Sequence, residues 1–99
     1  MKGTLVAFRL YKNTDARTVN RFCQKFYGQD TYSHGGKYFH HKRGLLEDIP
    51  HVKLIRGVII ISKRDTKKVV RFLREFKAEV HVREVTLTSG DKRVLGLGK

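Results

Sequence analysis

Apolar residues recur along this chain at two alternating periods. Thr4 to Tyr11 (TLVAFRLY) is rich in β-branched and aromatic residues and bounded by Gly3 and by Asn13-Thr14-Asp15, which predicts a strand. Period-two alternation places Val6, Phe8 and Leu10 on one face and Leu5, Ala7, Arg9 and Tyr11 on the other. The period then lengthens. Val19, Phe22, Cys23 and Phe26 form one helical stripe, with Asp15 placed to cap its start and Gly28 to stop it. Lys37 to Arg43 can form a second strand, Leu45-Leu46 should enter the core, and Glu47 to Pro50 reads as a turn. Val52 to Ser62 ends in the longest apolar run of the chain and predicts a central strand covered on both sides. Asp65 is the expected cap of a second helix with the stripe Val69, Phe72, Leu73 and Phe76, and Glu79 to Thr88 alternates as a last strand. Residues 89–99 are expected to form a basic, Gly-containing tail that orders on binding.

An offset of fifty residues lays Leu5–Gly28 on Ile55–Ala78 without a gap. Asp15, Val19, Arg21, Phe22 and Phe26 meet identical residues, and the caps and apolar stripes coincide. A duplicated half of this kind predicts β-α-β-β-α-β over residues 1–88 as one domain, the ferredoxin-like split βαβ of the α+β class. Its four-stranded antiparallel sheet would carry two helices on one face, with the first and third strands central. The same offset pairs Phe8 and Leu10 with Val58 and Ile60 toward the helices. It leaves Arg9, Tyr11, Ile59 and Ile61 on an open face, joined by His81, Arg83 and Val85. Such an amphipathic face suits either bases or a second subunit.

Composition changes the question from fold to partner. Twenty-two Lys and Arg against nine acids give a formal charge of +13. A chain so charged repels itself, and a polyanion is the natural compensating partner, nucleic acid first because cationic contacts release counterions from phosphates. No apolar run approaches the roughly 20 residues that span a bilayer, and Arg9 and Lys12 interrupt any signal-like start, so a soluble cytoplasmic protein without a membrane partner is expected. The single cysteine, Cys23, sits at an apolar helical position and reads as a buried thiol.

The candidate chemistry lies between Tyr27 and Gly44 (YGQDTYSHGGKYFHHKRG), where tyrosines and cations interleave around glycines with Asp30 as the only acid. Stacking on bases and pairing with phosphates needs those residue types together. Tyr32, His34, Lys37, Tyr38, His40, His41, Lys42 and Arg43 are the expected main contacts. Arg17, Arg21 and Lys25 on the first helix, Lys67, Lys68, Arg71 and Arg74 on the second, and Lys92 and Arg93 in the tail would hold phosphates. No zinc-type spacing of His or Cys occurs, so no metal site, cofactor or catalytic set is expected.

Two families offer comparisons. Arg56-Gly57 resembles the opening of the third-strand signature of the RNA-recognition motif, but Val58 and Ile60 stand where that family stacks bases on aromatics, which favours a core strand. In size and topology the chain also resembles Cas2-like nucleases, which use an acid at the end of the first strand as a metal ligand. Here that region holds Asp15, which is better placed as a helix cap. Basicity spread over both helices, the loop and the tail is similar in composition to ribosomal proteins. The leading expectation is a non-enzymatic RNA-binding protein of a ribosomal or other ribonucleoprotein particle. The alternatives are a DNA-binding protein, dimeric through the open sheet face, and a metal-dependent nuclease.

Overall fold

In the computed structural model, which describes residues 1–33, 35–36 and 38–97, four antiparallel strands build one sheet in the order β4-β5-β1-β6. These are β1 (Lys2–Arg9), β4 (His51–Ile55), β5 (Val58–Ile61) and β6 (Glu79–Thr86). Helices α1 (Ala16–Tyr27), α2 (Thr66–Glu75) and α3 (Ser89–Val94) complete an α+β structure, together with a separate two-stranded hairpin of β2 (Gln29–Ser33) and β3 (Tyr38–Lys42). The chain divides into two compact units, residues 1–13 with 49–99, and residues 14–48.

The strand order departs from expectation at one edge. Lys37–Arg43 does not join the large sheet, because Tyr38–Lys42 pairs only with Gln29–Ser33. The edge position is taken instead by the first half of the segment expected to be one central strand. Val52–Ser62 breaks at Arg56-Gly57 into β4 and β5, which pair with each other through an irregularity at Lys53/Ile55. Gly57 explains the break. Its φ of +83° lies in the left-handed region, and a Cβ there would stand 2.6 Å from the Phe8 carbonyl oxygen. That close approach lets the Phe8 amide donate to the Gly57 carbonyl at 2.8 Å, tying the hairpin turn to β1.

The turn also reverses the faces of the third strand. Thr4 lies opposite Ile61 and Val6 opposite Ile59, so these four share a side of the sheet. That side faces α2, since the Thr4 and Thr66 hydroxyls bond at 2.8 Å. Ile59 and Ile61, expected on an open face, are buried, as are Val69 and Leu73 of α2. Val58 and Ile60, expected under the helices, pair with Ala7 and Leu5 on the other side. The fifty-residue repeat therefore holds in the helices, which begin at Ala16 and Thr66, and fails in the strands. Asp65 departs from its repeat partner too. Asp15 accepts from the Thr18 amide at 2.7 Å, whereas Asp65 ends a 3-10 turn (Lys63–Asp65) and makes no capping bond.

The second side of the sheet is not open throughout. Ile60, Leu87 and Leu95 bury against one another, with Leu5, Val52, Val85 and Leu97 around them. Leu95 and Leu97 belong to the segment expected to be an unstructured tail. That segment is helical because both its ends are capped. Thr88 Oγ1 accepts from the Asp91 amide while the Asp91 carboxylate accepts from the Thr88 amide, a capping box. At the other end the Leu97 amide donates to the Lys92 carbonyl and the Gly96 amide to Arg93, a Schellman closure. A helix of six residues would not persist in water by itself, and the burial of Leu95 holds it to the sheet.

Residues 14–48 are organised around α1. Phe22 and Phe26 are buried with rings stacked at 5.2 Å, and Tyr27 meets both edge-on. Leu46, in a 3-10 turn (Leu45–Asp48), is buried as expected. Gly28 and Gly44 allow the chain to cross close to the end of α1, where a Cβ on Gly44 would collide with the Gly28 nitrogen and the Phe26 carbonyl.

Candidate nucleic-acid interface

The β2–β3 hairpin sorts its residues by face. Direct partners share a side, so Tyr32 with Phe39 and Asp30 with His41 lie on one face, and Gln29 with Lys42 and Thr31 with His40 lie on the other, as does Tyr38. Every residue of β3 is exposed. Tyr32 and Phe39, at 66% and 56% exposure, lean together with ring centroids 5.3 Å apart and planes at 52°. No run of alternating apolar residues marks β2. It is a strand because β3 supplies its ladder and Gly35-Gly36, both at positive φ, supply the turn.

His41 fixes this hairpin to the chain that follows it. Its Nδ1 lies 2.6 Å from Asp30 Oδ1 and its Nε2 2.7 Å from Glu47 Oε2. A neutral imidazole has one N–H and would turn a lone pair toward one of these carboxylates, so the imidazolium, donating to both, is the form this geometry satisfies. The Asp30 bond and then the Glu47 bond raise the His41 pKa above its ordinary value. The His41 bond lowers that of Glu47, whose Oε1 also accepts from the Gly44 amide. Beside this clamp Arg43 pairs with Asp48 at 2.7 Å and reaches the Glu47 carbonyl. His41 and Arg43, expected as nucleic-acid contacts, are thus bound to carboxylates of their own unit. Tyr32, Tyr38, His40 and Lys42 remain at the surface. His34 and Lys37 lie outside the described residues.

The other unit presents a different surface. An open groove of about 1130 Å³ runs along α2, lined by Arg64, Lys67, Lys68, Arg71 and Arg74, with Val70 and Val82 as its apolar part and Glu75 as its one acid. Lys67, Lys68, Arg71 and Arg74 make no ion pair among the described residues, and Arg64 has only a 3.8 Å approach to Asp65. The four expected α2 contacts therefore share one groove. Val82 belongs to β6, an edge strand, and Arg83 donates to the Val82 carbonyl at 2.8 Å, which blunts that edge. Sequence reading missed Arg64, hidden beside the expected cap Asp65, and Phe39, whose alternation against Tyr32 needed the β2–β3 register.

Arg17, Arg21 and Lys25 are exposed at four-residue spacing on α1, one basic stripe. Arg93 is exposed and Lys92 half-buried in the last turn of α3, where cations favour the helix dipole. Among the described residues no three His, Cys, Asp or Glu side chains gather as metal ligands, and no helix is long and apolar enough to cross a membrane.

No protein-family model, curated protein or solved structure matches the chain.

Proposed function

We propose that this protein is a non-enzymatic RNA-binding protein, a component of a ribosomal or other ribonucleoprotein particle, and that the α2 groove is its main phosphate-binding surface. The sheet order, with β1 and β5 central and β4 and β6 at the edges, supports reading the frame as ferredoxin-like, with the β2–β3 hairpin inserted after α1. The groove carries the functional reading. Four cations without internal partners, in one cleft with a single acid, raise a positive potential that the fold does not use. By sequence, residues 1–13 with 49–99 hold sixteen Lys and Arg against five acids, a net +11, while residues 14–48 hold six against four, a net +2. Phosphates would enter that field with release of counterions.

Fluorescence anisotropy with a structured RNA, titrated at several salt concentrations, tests this. Four phosphate contacts should give a log–log slope of about −3 to −4. A flat salt dependence, or no binding at low salt, overturns the proposal. Duplex DNA competing as well as RNA at matched salt would move it to the DNA-binding reading.

A further inference from the structure

We infer that Tyr32 and Phe39 form a stacking platform for an unpaired nucleobase, so that the RNA bound by this protein presents a single-stranded segment to the β2–β3 hairpin. This deepens the RNA-binding reading and rests on it. The two rings are cross-strand partners on one face, 5.3 Å apart, and both are more than half exposed. Their own unit does not need them as core, which is built instead on Phe22, Phe26 and Leu46. A free-standing two-stranded hairpin is marginal in water. This one is braced at its base by the bonds from His41 to Asp30 and Glu47, so the aromatic pair is presented on a held strand pair.

The occupant follows from charge and shape together. Every base has a π-face, and stacking on an aromatic ring tolerates sequence while requiring that the base be unpaired. The hairpin's own unit holds six Lys and Arg against four acids, and a single strand attracted to those cations can offer its bases to an aromatic pair that a closed duplex cannot stack on. The same hairpin carries Lys42, with His40 and Tyr38, on its second face, beside which a phosphate backbone can run. Phe39 is the residue whose role this assigns anew.

The double variant Tyr32→Leu/Phe39→Leu keeps apolar bulk and removes both rings. Its affinity for a single-stranded oligoribonucleotide should fall about tenfold to a hundredfold against the unaltered protein, the range for losing one or two stacked bases. Affinity for a blunt RNA duplex of equal length should stay within twofold, and the salt slope should not move. The chain has no tryptophan, so its tyrosine emission is directly readable. Single-stranded RNA should quench a component of that emission that is missing in Tyr32→Leu. Circular dichroism confirms that the variants fold. If the unaltered protein binds with a steep salt slope but the double variant loses nothing on single strands, the platform is refuted and RNA binding stands. Equal losses on single strand and duplex also refute it. If the unaltered protein binds neither, both readings fall. A dimer in sedimentation that the double variant dissociates would assign the rings to a second copy and overturn the proposal.

Discussion

In residues 14–48 every carboxylate has a partner inside the unit, whereas the α2 cations of the other unit have none among the described residues. Asp15 caps α1, Asp30 and Glu47 hold His41, and Asp48 holds Arg43. In residues 1–13 and 49–99, Glu79 answers Arg9 and His81, and Glu84 answers Lys63, but Lys67, Lys68, Arg71 and Arg74 share their groove with one acid, Glu75, and make no ion pair among the described residues. The first unit uses its charges to hold its own loop in place. The second keeps charges that do nothing for its fold and that repel one another. Surface ion pairs of the first kind add little stability individually, so their value is positional. On the proposed reading, charges of the second kind act toward a polyanion outside the chain. On that reading, the stretch richest in aromatic and basic residues has fewer unpaired cations to offer phosphates than its composition implies, and α2 has more.

The sharpest way to break this contrast is to neutralise α2. Converting Lys67, Lys68, Arg71 and Arg74 to Gln should remove about 3 to 4 units of salt slope and weaken RNA binding about a thousandfold at physiological salt. The companion variant, with Arg17, Arg21 and Lys25 changed to Gln on α1, should lose less. Equal losses in anisotropy titrations would erase the distinction between the units.

The second test concerns the C-terminal segment. If residues 89–97 were a tail, truncating Leu95 would cost nothing. Because Leu95 is 1% exposed and packs on Ile60 and Leu87, Leu95→Ala should destabilise the unit by about 2–5 kcal/mol in urea unfolding. RNA binding below the unfolding transition should be retained, since the groove residues lie on α2 and its approach.

Both helices of the repeat were legible in the sequence because the 3.6 period, the buried stripe and the helix starts depend on nearby residues. The strands were harder for identifiable reasons. The run from Val58 to Ile61 is apolar on both sides, so alternation could not say which residues faced α2, and the repeat misassigned them. Arg56-Gly57 carried the turn signal, but the apolar residues around it read as continuity. Gln29–Ser33 has no apolar alternation, so β2 became visible only with its partner. The helix at the C-terminus was legible in principle, in the Thr88–Asp91 box and in Gly96, but basic composition drew the reading toward a tail. Lys67, Lys68, Arg71 and Arg74 share one groove, which their spacing along a single helix makes readable. The ion pairs of His41 and Arg43 were not readable, because their partners Glu47 and Asp48 were taken only as turn residues.

His41 offers a local test of the first unit. Its pKa is raised in the folded chain, so the stability it contributes is complete below about 6.5 and is lost as pH rises through the folded value. Glu47 is lowered, so its contribution is present above about 4.5 and is lost as pH falls through its own folded value. The groups facing the ring are Asp30 and Glu47, with Arg43 acting on Glu47. With the intrinsic pH dependence of exchange divided out, protection of the β2 and β3 amides should therefore be greatest from about pH 4.5 to 6.5, and should fall above that as His41 deprotonates. His41→Phe should abolish the alkaline step and leave exchange in the α2 amides unchanged. A step that survives the substitution would show that another group braces the hairpin.

The smallest effect compares the two helix ends. α1 ends at Gly28 with φ +97°, while α2 passes through Lys77 at φ +56°, the one non-glycine in the left-handed region among the described residues. The closing bonds at α2 are made all the same, from the Lys77 amide to Arg74 at 2.9 Å and from the Ala78 amide to Leu73 at 3.1 Å. An L side chain held there costs about 1 kcal/mol in crowding against its own carbonyl. Lys77→Gly relieves this, and the greater freedom of glycine in the unfolded chain offsets part of the gain, so thermal unfolding should show a net stabilisation of a few tenths to about 1 kcal/mol. The reverse change, Gly28→Lys, should be plainly destabilising, because φ there is +97° and a Cβ would collide with Glu47 Oε1 and meet the Lys42 carbonyl and the Gly44 nitrogen at 3.0–3.1 Å. Lys77 does not line the α2 groove, so Lys77→Gly should leave the salt slope of RNA binding nearly intact. A slope reduced by a full unit would mean that binding follows total charge rather than the groove, and the contrast between the two units would lose its functional meaning.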